Sequence, residues 1–178
     1  MIIFGLMTIK KITIQDIESL KEISKLTFIE TYSSKNSYEN MTKYLENEFS
    51  TEKITNDLTN PNIEFYFAIL NKIIVGYLKV NFKEAQTEIK DENALEIERI
   101  YVLKEFHRKR IGQALYEKTI ELAIKKEMEY IWLGVWEQNH KAIRFYEKNN
   151  FIAFDKHVFM LGNDKQTDIM MKLDIKKA

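Results

Sequence analysis

Apolar positions along the chain change their period several times, and each change marks an element. Residues 8–12, TIKKI, are short and β-branched and predict a first strand. Ile17, Leu20, Ile23, Leu26, Phe28 and Ile29 then recur at helical spacing, which predicts a helix over about residues 14–32 with a broad apolar face. Thr13, three residues ahead of Asp16, is placed to open it as a capping box. Met41, Tyr44, Leu45 and Phe49 predict a second helix over residues 38–49, and Thr51 stands as the cap of a short third one over 52–58. Asn60-Pro61-Asn62 ends it, because proline disfavours helix in the residue before it. Residues 63–70 and 73–82 have strand composition and flank Asn71-Lys72, a two-residue hairpin turn. The charged stretch 83–93 reads as a surface loop.

The stretch 95–122, LEIERIYVLKEFHRKRIGQALYEKTIEL, organises the second half of the chain. Its first part is a strand, apolar except at Glu96, Glu98 and Arg99. Its last part has the period of an amphipathic helix, with Ile111, Ala114, Leu115, Ile120 and Leu122 apolar. Between them lies the basic loop His107-Arg108-Lys109-Arg110-Ile111-Gly112. A loop that opens a helix offers unpaired N–H groups and the positive end of the helix dipole, so it suits an anion such as phosphate; a solvated basic turn would show the same residues. Residues 130–136, YIWLGVW, predict a buried strand whose Gly134 marks a bulge or a close approach. A helix comes next over 141–149, with Asn150 as a left-handed stop. Residues 151–160 and 167–173 read as a closing antiparallel pair joined around Leu161-Gly162-Asn163-Asp164. The order β, α, α, α, β, β, β, α, β, α, β, β predicts an α/β (α+β) domain spanning residues 1–178, with residues 1–7 as a loose extension. Its mixed, mostly antiparallel sheet has about seven strands and one parallel crossover.

Composition narrows the chemistry. The 27 basic and 27 acidic residues cancel, so nothing draws the chain as a whole to nucleic acid or to an anionic membrane. The chain has no cysteine, which excludes disulfides, thiolate metal sites and a cysteine-borne covalent intermediate. No apolar run nears the roughly 20 residues of a membrane span, and the apolar start MIIFGL lacks the basic region of a signal peptide. A cytoplasmic protein is the expectation. His140 and His157 stand too far from other ligand types to suggest a metal, and read as solvated or capping residues.

Three pieces, IERIYV, HRKRIGQAL and NHKAIRFYEKNNF, occur in the order and spacing of the GNAT superfamily of N-acetyltransferases, which the chain resembles. LEIERIYV, IWLGVWEQN, AIRFYEKNNF and the late Gln166-Thr167-Asp168 look like its spermidine/spermine N-acetyltransferase (Pai-type) branch. The resemblance implies a twisted sheet whose two central parallel strands splay. It implies acetyl transfer from acetyl-CoA directly to an amine, with a small-molecule acceptor such as a polyamine. It implies that the backbone of Ile100, Tyr101 and Val102 pairs with the pantetheine arm. It also implies that the loop through His107, Arg108, Lys109, Arg110, Ile111, Gly112, Gln113 and Ala114 cradles the pyrophosphate, and that Asn139 contacts the cofactor arm. The family's loop pattern has Gln or Arg where this chain has His107, and glycine where it has Arg110. That departure leaves room for a second reading, an acetyl-CoA-binding sensor with little turnover. Peptide, amino-acid and antibiotic amines use the same machinery and remain alternatives as acceptors. The superfamily also contains many homodimers.

Two roles follow from the chemistry. An alkylammonium titrates near 10.4, so a base helps it attack at neutral pH. Glu98, a carboxylate in mid-strand, is the candidate; a buried ion pair is its structural alternative. Tyr146 matches the family's general acid, a phenol that protonates the departing thiolate; by itself it would read as a core tyrosine. The resemblance implies that the early helices cover the acceptor, which makes Phe28, Glu30 and Tyr32 candidates on that side; Glu96, on the same strand face as Glu98, joins them, since a polycation wants carboxylates and aromatic faces. Trp132 and Trp136 read as packing.

Overall fold

The computed structural model describes residues 6–34, 36–161 and 164–175. Seven strands form one sheet: β1 (Met7–Lys11), β2 (Ile63–Leu70), β3 (Ile73–Phe82), β4 (Ala94–Val102), β5 (Tyr130–Trp136), β6 (Ile152–Leu161) and β7 (Asp164–Asp174). Their spatial order is β1-β2-β3-β4-β5-β7-β6, and every neighbouring pair is antiparallel except β4 with β5. Five helices cover the faces: α1 (Ile17–Tyr32), α2 (Tyr38–Glu48), α3 (Thr51–Thr59), α4 (Ile111–Lys125) and α5 (His140–Lys148). The expected mixed α/β sheet is therefore present. Met7 belongs to β1 and not to a loose extension, of which residues 1–5 lie outside the described residues.

Alternation in β2 divides the core. Phe65 and Phe67 pack with Leu20, Ile23 and Phe28 of α1, Met41 of α2 and Ile54 of α3. Tyr66 and Ala68 face the other way, toward Ile111, Leu115 and Leu122 of α4 and Tyr146 of α5. Each fully buried aliphatic or aromatic side chain stabilises these layers by about 1.5–3 kcal/mol. The buried stripe of α1 is Leu20, Ile23, Ser24, Thr27 and Phe28. It is turned from the expected face: Leu26 and Ile29 are exposed, while Thr27 sits in the core because its hydroxyl donates to the Ile23 carbonyl at 2.7 Å. Ser50, not Thr51, caps α3, accepting from the Lys53 N–H. Asn71 and Lys72 both have positive φ, 51° and 69°, as a tight hairpin turn of this kind requires. Asn150, φ 65°, ends α5 as expected.

Two irregularities in β4 create the site. The ladder to β3 pairs Lys79 with Arg99 and then Val80 with Ile97, so Glu98 is the extra residue of a bulge. On the other side β4 pairs with β5 only from Ala94 to Glu96, opposite Tyr130 to Trp132. Beyond Glu96 the two parallel strands separate.

Candidate active site

The gap between the splayed strands opens into a cavity of about 540 Å³. β4 contributes Glu96, Glu98, Arg99, Ile100 and Tyr101; β5 contributes Trp132, Gly134 and Trp136; Asn139, Ala142 and Tyr146 close one side around α5. Phe28 and Tyr32 of α1, Lys43, Tyr44 and Glu48 of α2, Thr87 and Glu88 of the β3–β4 loop, and His157, Met160 and Asp168 of the last hairpin complete it.

The two strand carboxylates share a face despite the bulge, because Asn81 Nδ2 donates to both, at 2.9 Å to Glu96 and 2.7 Å to Glu98. Glu98 also receives Lys79 Nζ at 2.6 Å and lies 3.3 Å from Arg99 Nε. Burial pushes its pKa up, but the charges of Lys79 and Arg99 and the hydrogen bonds from Lys79 and Asn81 outweigh it and hold the carboxyl at about 2. Glu98 is thus the buried ion pair of the structural alternative. The carboxylate is thereby held ionised at the edge of the splay. Lys79 and Arg99 continue outward to Asp57 of α3 (2.8 Å) and Glu48 of α2 (3.2 Å), tying the helices on this face to the bulge. Glu96 accepts from the Thr87 N–H at 2.8 Å and the Thr87 hydroxyl at 2.5 Å. Burial pushes its pKa up, and the Thr87 and Asn81 hydrogen bonds oppose the push.

Those bonds show that the stretch 83–93 is more than surface. Gln86 is buried and accepts from Trp132 Nε1 at 2.6 Å, while its own amide donates to the carbonyls of Lys83 and Asp91. Trp132 is packing, as expected, though it also borders the cavity. Of the acceptor-side candidates, Phe28, Tyr32 and Glu96 meet at the cavity, with the Tyr32 hydroxyl 3.3 Å from that of Tyr101. Glu30 does not: its carboxylate accepts from the Lys104 N–H at 2.9 Å, which fastens the turn after β4 to α1.

Tyr146 is 5% exposed and packs edge-on against Phe145 and Phe151. Burial, with the nearby Tyr101 phenol, pushes its pKa up, so it carries its proton at neutral pH. Asn139 Oδ1 caps α5 by accepting from the Ala142 N–H at 3.2 Å, which leaves its amide N–H groups for the cavity.

The open edge of β4 and the start of α4 offer what a long anionic arm needs. The Leu103 N–H donates to Val75, so by alternation the Tyr101 backbone faces β3 while that of Ile100 and Val102 faces the open edge. His107 Nε2 binds the Val102 carbonyl at 2.8 Å and folds the loop back on the strand. Arg108 and Arg110 have φ of 64° and 60°, so Arg110 adopts the left-handed conformation natural to a glycine at some cost in strain. The loop therefore keeps a glycine-type turn without the glycine. Among the described residues the N–H groups of Ile111, Gly112 and Gln113 find no acceptor, and the first helix amide that does is Ala114, on Arg110. A Cβ built on Gly112 meets nothing within 4 Å, so the space above these amides is open. Arg108 and Lys109 are exposed beside it, Lys109 lying 4.6 Å over the Phe106 ring. The set fits a pyrophosphate at the helix start with a pantetheine chain along β4.

This architecture is that of a known class. The model of the Acetyltransferase (GNAT) family matches residues 17–151, and the chain belongs to that family. It is 38% identical over 164 residues to an uncharacterized N-acetyltransferase in the pepI 3' region of Lactobacillus delbrueckii subsp. lactis, covering 92% of this chain and 95% of that one. It is 27% identical over 151 residues to the spermidine N(1)-acetyltransferase of Thermoplasma acidophilum, covering 83% and 89%. The crystal structure of the PaiA N-acetyltransferase of Thermoplasma acidophilum in complex with coenzyme A superposes with a TM-score of 0.79 at 25% identity, over 96% of this chain and 99% of the other. The protein is an acetyl-CoA-dependent N-acetyltransferase of GNAT type whose second substrate is an amine. No helix among the described residues is long and apolar enough to cross a membrane.

Several residues of the cavity escape the sequence reading, among them Lys43, Glu48, Thr87 and Glu88 and, most informatively, His157 and Asp168. The pattern presents His157 as solvated and Asp168 only as part of a signature, yet both border the cavity, paired across β6 and β7. The signal lies in the hairpin: Leu161 opposite Asp164 sets the register that puts 157 opposite 168.

Proposed function

We propose that the acceptor is a polyamine of the spermidine or spermine kind, acetylated on a primary nitrogen. The carrying observation is the charge of the cavity wall: five carboxylates, Glu48, Glu88, Glu96, Glu98 and Asp168, against Lys43 and Arg99 in the wall and Lys79 behind Glu98, with aromatic faces from Phe28, Tyr32 and Trp136 among them. A chain of several ammonium groups complements such a wall by charge and cation–π contact. Glu98 and Glu96 hold negative charge at the bulge. The amides of Ile100 and Val102, those of Ile111, Gly112 and Gln113, and Asn139 hold acetyl-CoA. Tyr146 supplies the proton to the departing sulfur. The spermidine N(1)-acetyltransferase relative supports the substrate class.

The test is CoA thiol release from acetyl-CoA with spermidine, spermine, propylamine and a peptide amine. Spermidine is expected to give a kcat/KM at least about 10-fold above that of propylamine, the effect of one further charge contact of about 1.4 kcal/mol. Equal values, or turnover of the peptide alone, would replace the polyamine with another amine. Tyr146→Phe is expected to lower kcat about 10²-fold; an unchanged kcat would remove Tyr146 from its role.

A further inference from the structure

A base is still needed, since both oxygens of Glu98 are taken, one by Lys79 and Asn81 and the other by Arg99, and Glu96 accepts three hydrogen bonds. We infer that the Asp168 carboxylate, an acid of the cavity wall without a partner among the described residues, takes the proton from the acceptor's ammonium group. The inference rests on the amine-acetylation reading. Among the other acids of the wall, Glu48 pairs with Arg99 at 3.2 Å and Glu96 and Glu98 are bonded at the bulge, while Glu88, at the exposed rim, lies 3.6 Å from His157 and pairs with it only when that ring is protonated. Among the described residues Asp168 makes no hydrogen bond and no ion pair within 4 Å, and the charged neighbours that act on it are His157 and Glu137.

Its surroundings explain how it stays so. Asp168 lies on β7 directly beside β5, and its carboxylate occupies the space over Gly134: a Cβ there would stand 3.3 Å from Oδ2. The glycine that interrupts YIWLGVW thus makes room for an acid. His157 flanks it from β6, Tyr32 from α1, and Glu137 comes just after β5. Burial pushes the Asp168 pKa up, the His157 side pulls it down and Glu137 adds to the rise. Glu96 is pushed up as well, but Asn81 and Thr87 occupy its oxygens, so of the two raised acids Asp168 is the one open to an ammonium.

The step balances. Asp168 takes one proton of the ammonium, and the freed nitrogen lone pair forms the C–N bond to the thioester carbonyl carbon. The C–S bond breaks with its electron pair on sulfur. Sulfur receives the Tyr146 proton, and the second proton lost by nitrogen restores the phenol. Asp168 returns its own proton to water, so each turnover releases one proton.

The experiment compares wild type with Asp168→Asn as a function of pH, using spermidine and saturating acetyl-CoA. At pH 7 the variant is expected to lose about 10²-fold or more in kcat/KM. The loss should shrink as pH rises toward about 10, where the amine sheds its proton unaided. A loss of the same size at every pH, or a rise in KM with kcat intact, would overturn the assignment, because packing and charge anchoring give those results. Gly134→Ala serves as a second variant in case Asp168→Asn fails to fold. Its methyl group must displace the carboxylate by a few tenths of an ångström, and about a 10-fold loss of kcat with the same pH trend is expected; an unchanged kcat counts against the assignment. Wild type inactive with every amine would sink the acetylation reading and this base together, whereas an active wild type with a pH-independent deficit sinks the base alone.

Discussion

Two carboxylates in this protein, Glu98 and Glu64, are held at a pKa of about 2, and they have little else in common. Glu64, at the start of β2, accepts from the Tyr66 hydroxyl at 2.5 Å and pairs with Lys126 at 3.0 Å and Lys11 at 3.1 Å. Burial pushes its pKa up, and those three partners overcome the push. Its cations are on the surface, and it does not line the central cavity. Glu98 has Lys79, itself 3% exposed, and it fronts the splay. A strongly shifted acid is therefore not by itself a mark of a site. At Glu64 the shift is a clamp between strand and helix. At Glu98 the same chemistry holds a charge where an incoming cation can meet it.

Acidification should act on both at once, and this is the largest effect expected. Their folded pKa values lie below the ordinary 4.5, so their contribution is complete above that value and is lost as pH falls through about 2. Denaturant midpoints measured from pH 6 to pH 2 should fall over the lower half of the range; a flat profile would refute both clusters. Single substitutions should then separate them. Lys79→Met leaves Asp57 and Glu98 facing a buried gap and should cost about 3–5 kcal/mol. Lys126→Met removes a half-exposed partner while Glu64 keeps Lys11 and Tyr66, and should cost about 1 kcal/mol or less. Equal losses in urea titrations would erase the distinction. The smallest difference concerns turnover. Glu98→Gln should lower kcat/KM for spermidine about 10-fold, while Glu64→Gln should leave it unchanged. A matched loss would mean that Glu98 acts through stability alone.

Local features are legible in the sequence and long-range ones are not, for a physical reason. The bounds of β2, β3 and β5 agree with the strand patterns because alternation and turn residues are properties of neighbours. The buried stripe of α1 departs from the pattern because the Thr27 hydroxyl bonds back to the Ile23 carbonyl and so can enter the core, and the cap of α3 falls one residue early because adjacent Ser50 and Thr51 are equally able to accept from a helix N–H. Gln86 and Thr87 have the composition of a loop, and nothing nearby in the chain reports that Trp132 and Glu96 wait beneath them. Glu30 resembles an acceptor contact for the same reason, since its partner lies 74 residues away. The proposed cofactor side is legible through the motif loop, because a turn at a helix start is carried by backbone. The acceptor side is not, because it is assembled from α1, α2, a loop and a hairpin whose facing groups are set by register and bulge.

The three residue pairs that join β4 to β5 make a short seam, and the unpaired stretch beyond it has a spectroscopic consequence. The amides of Ile100 and Val102 sit in a stiff strand yet, among the described residues, donate to no other strand. In deuterated solvent they should exchange orders of magnitude faster than their neighbour Tyr101, which is locked to β3. Addition of acetyl-CoA should slow both, converting an interrupted sheet into a direct gauge of occupancy that requires no turnover.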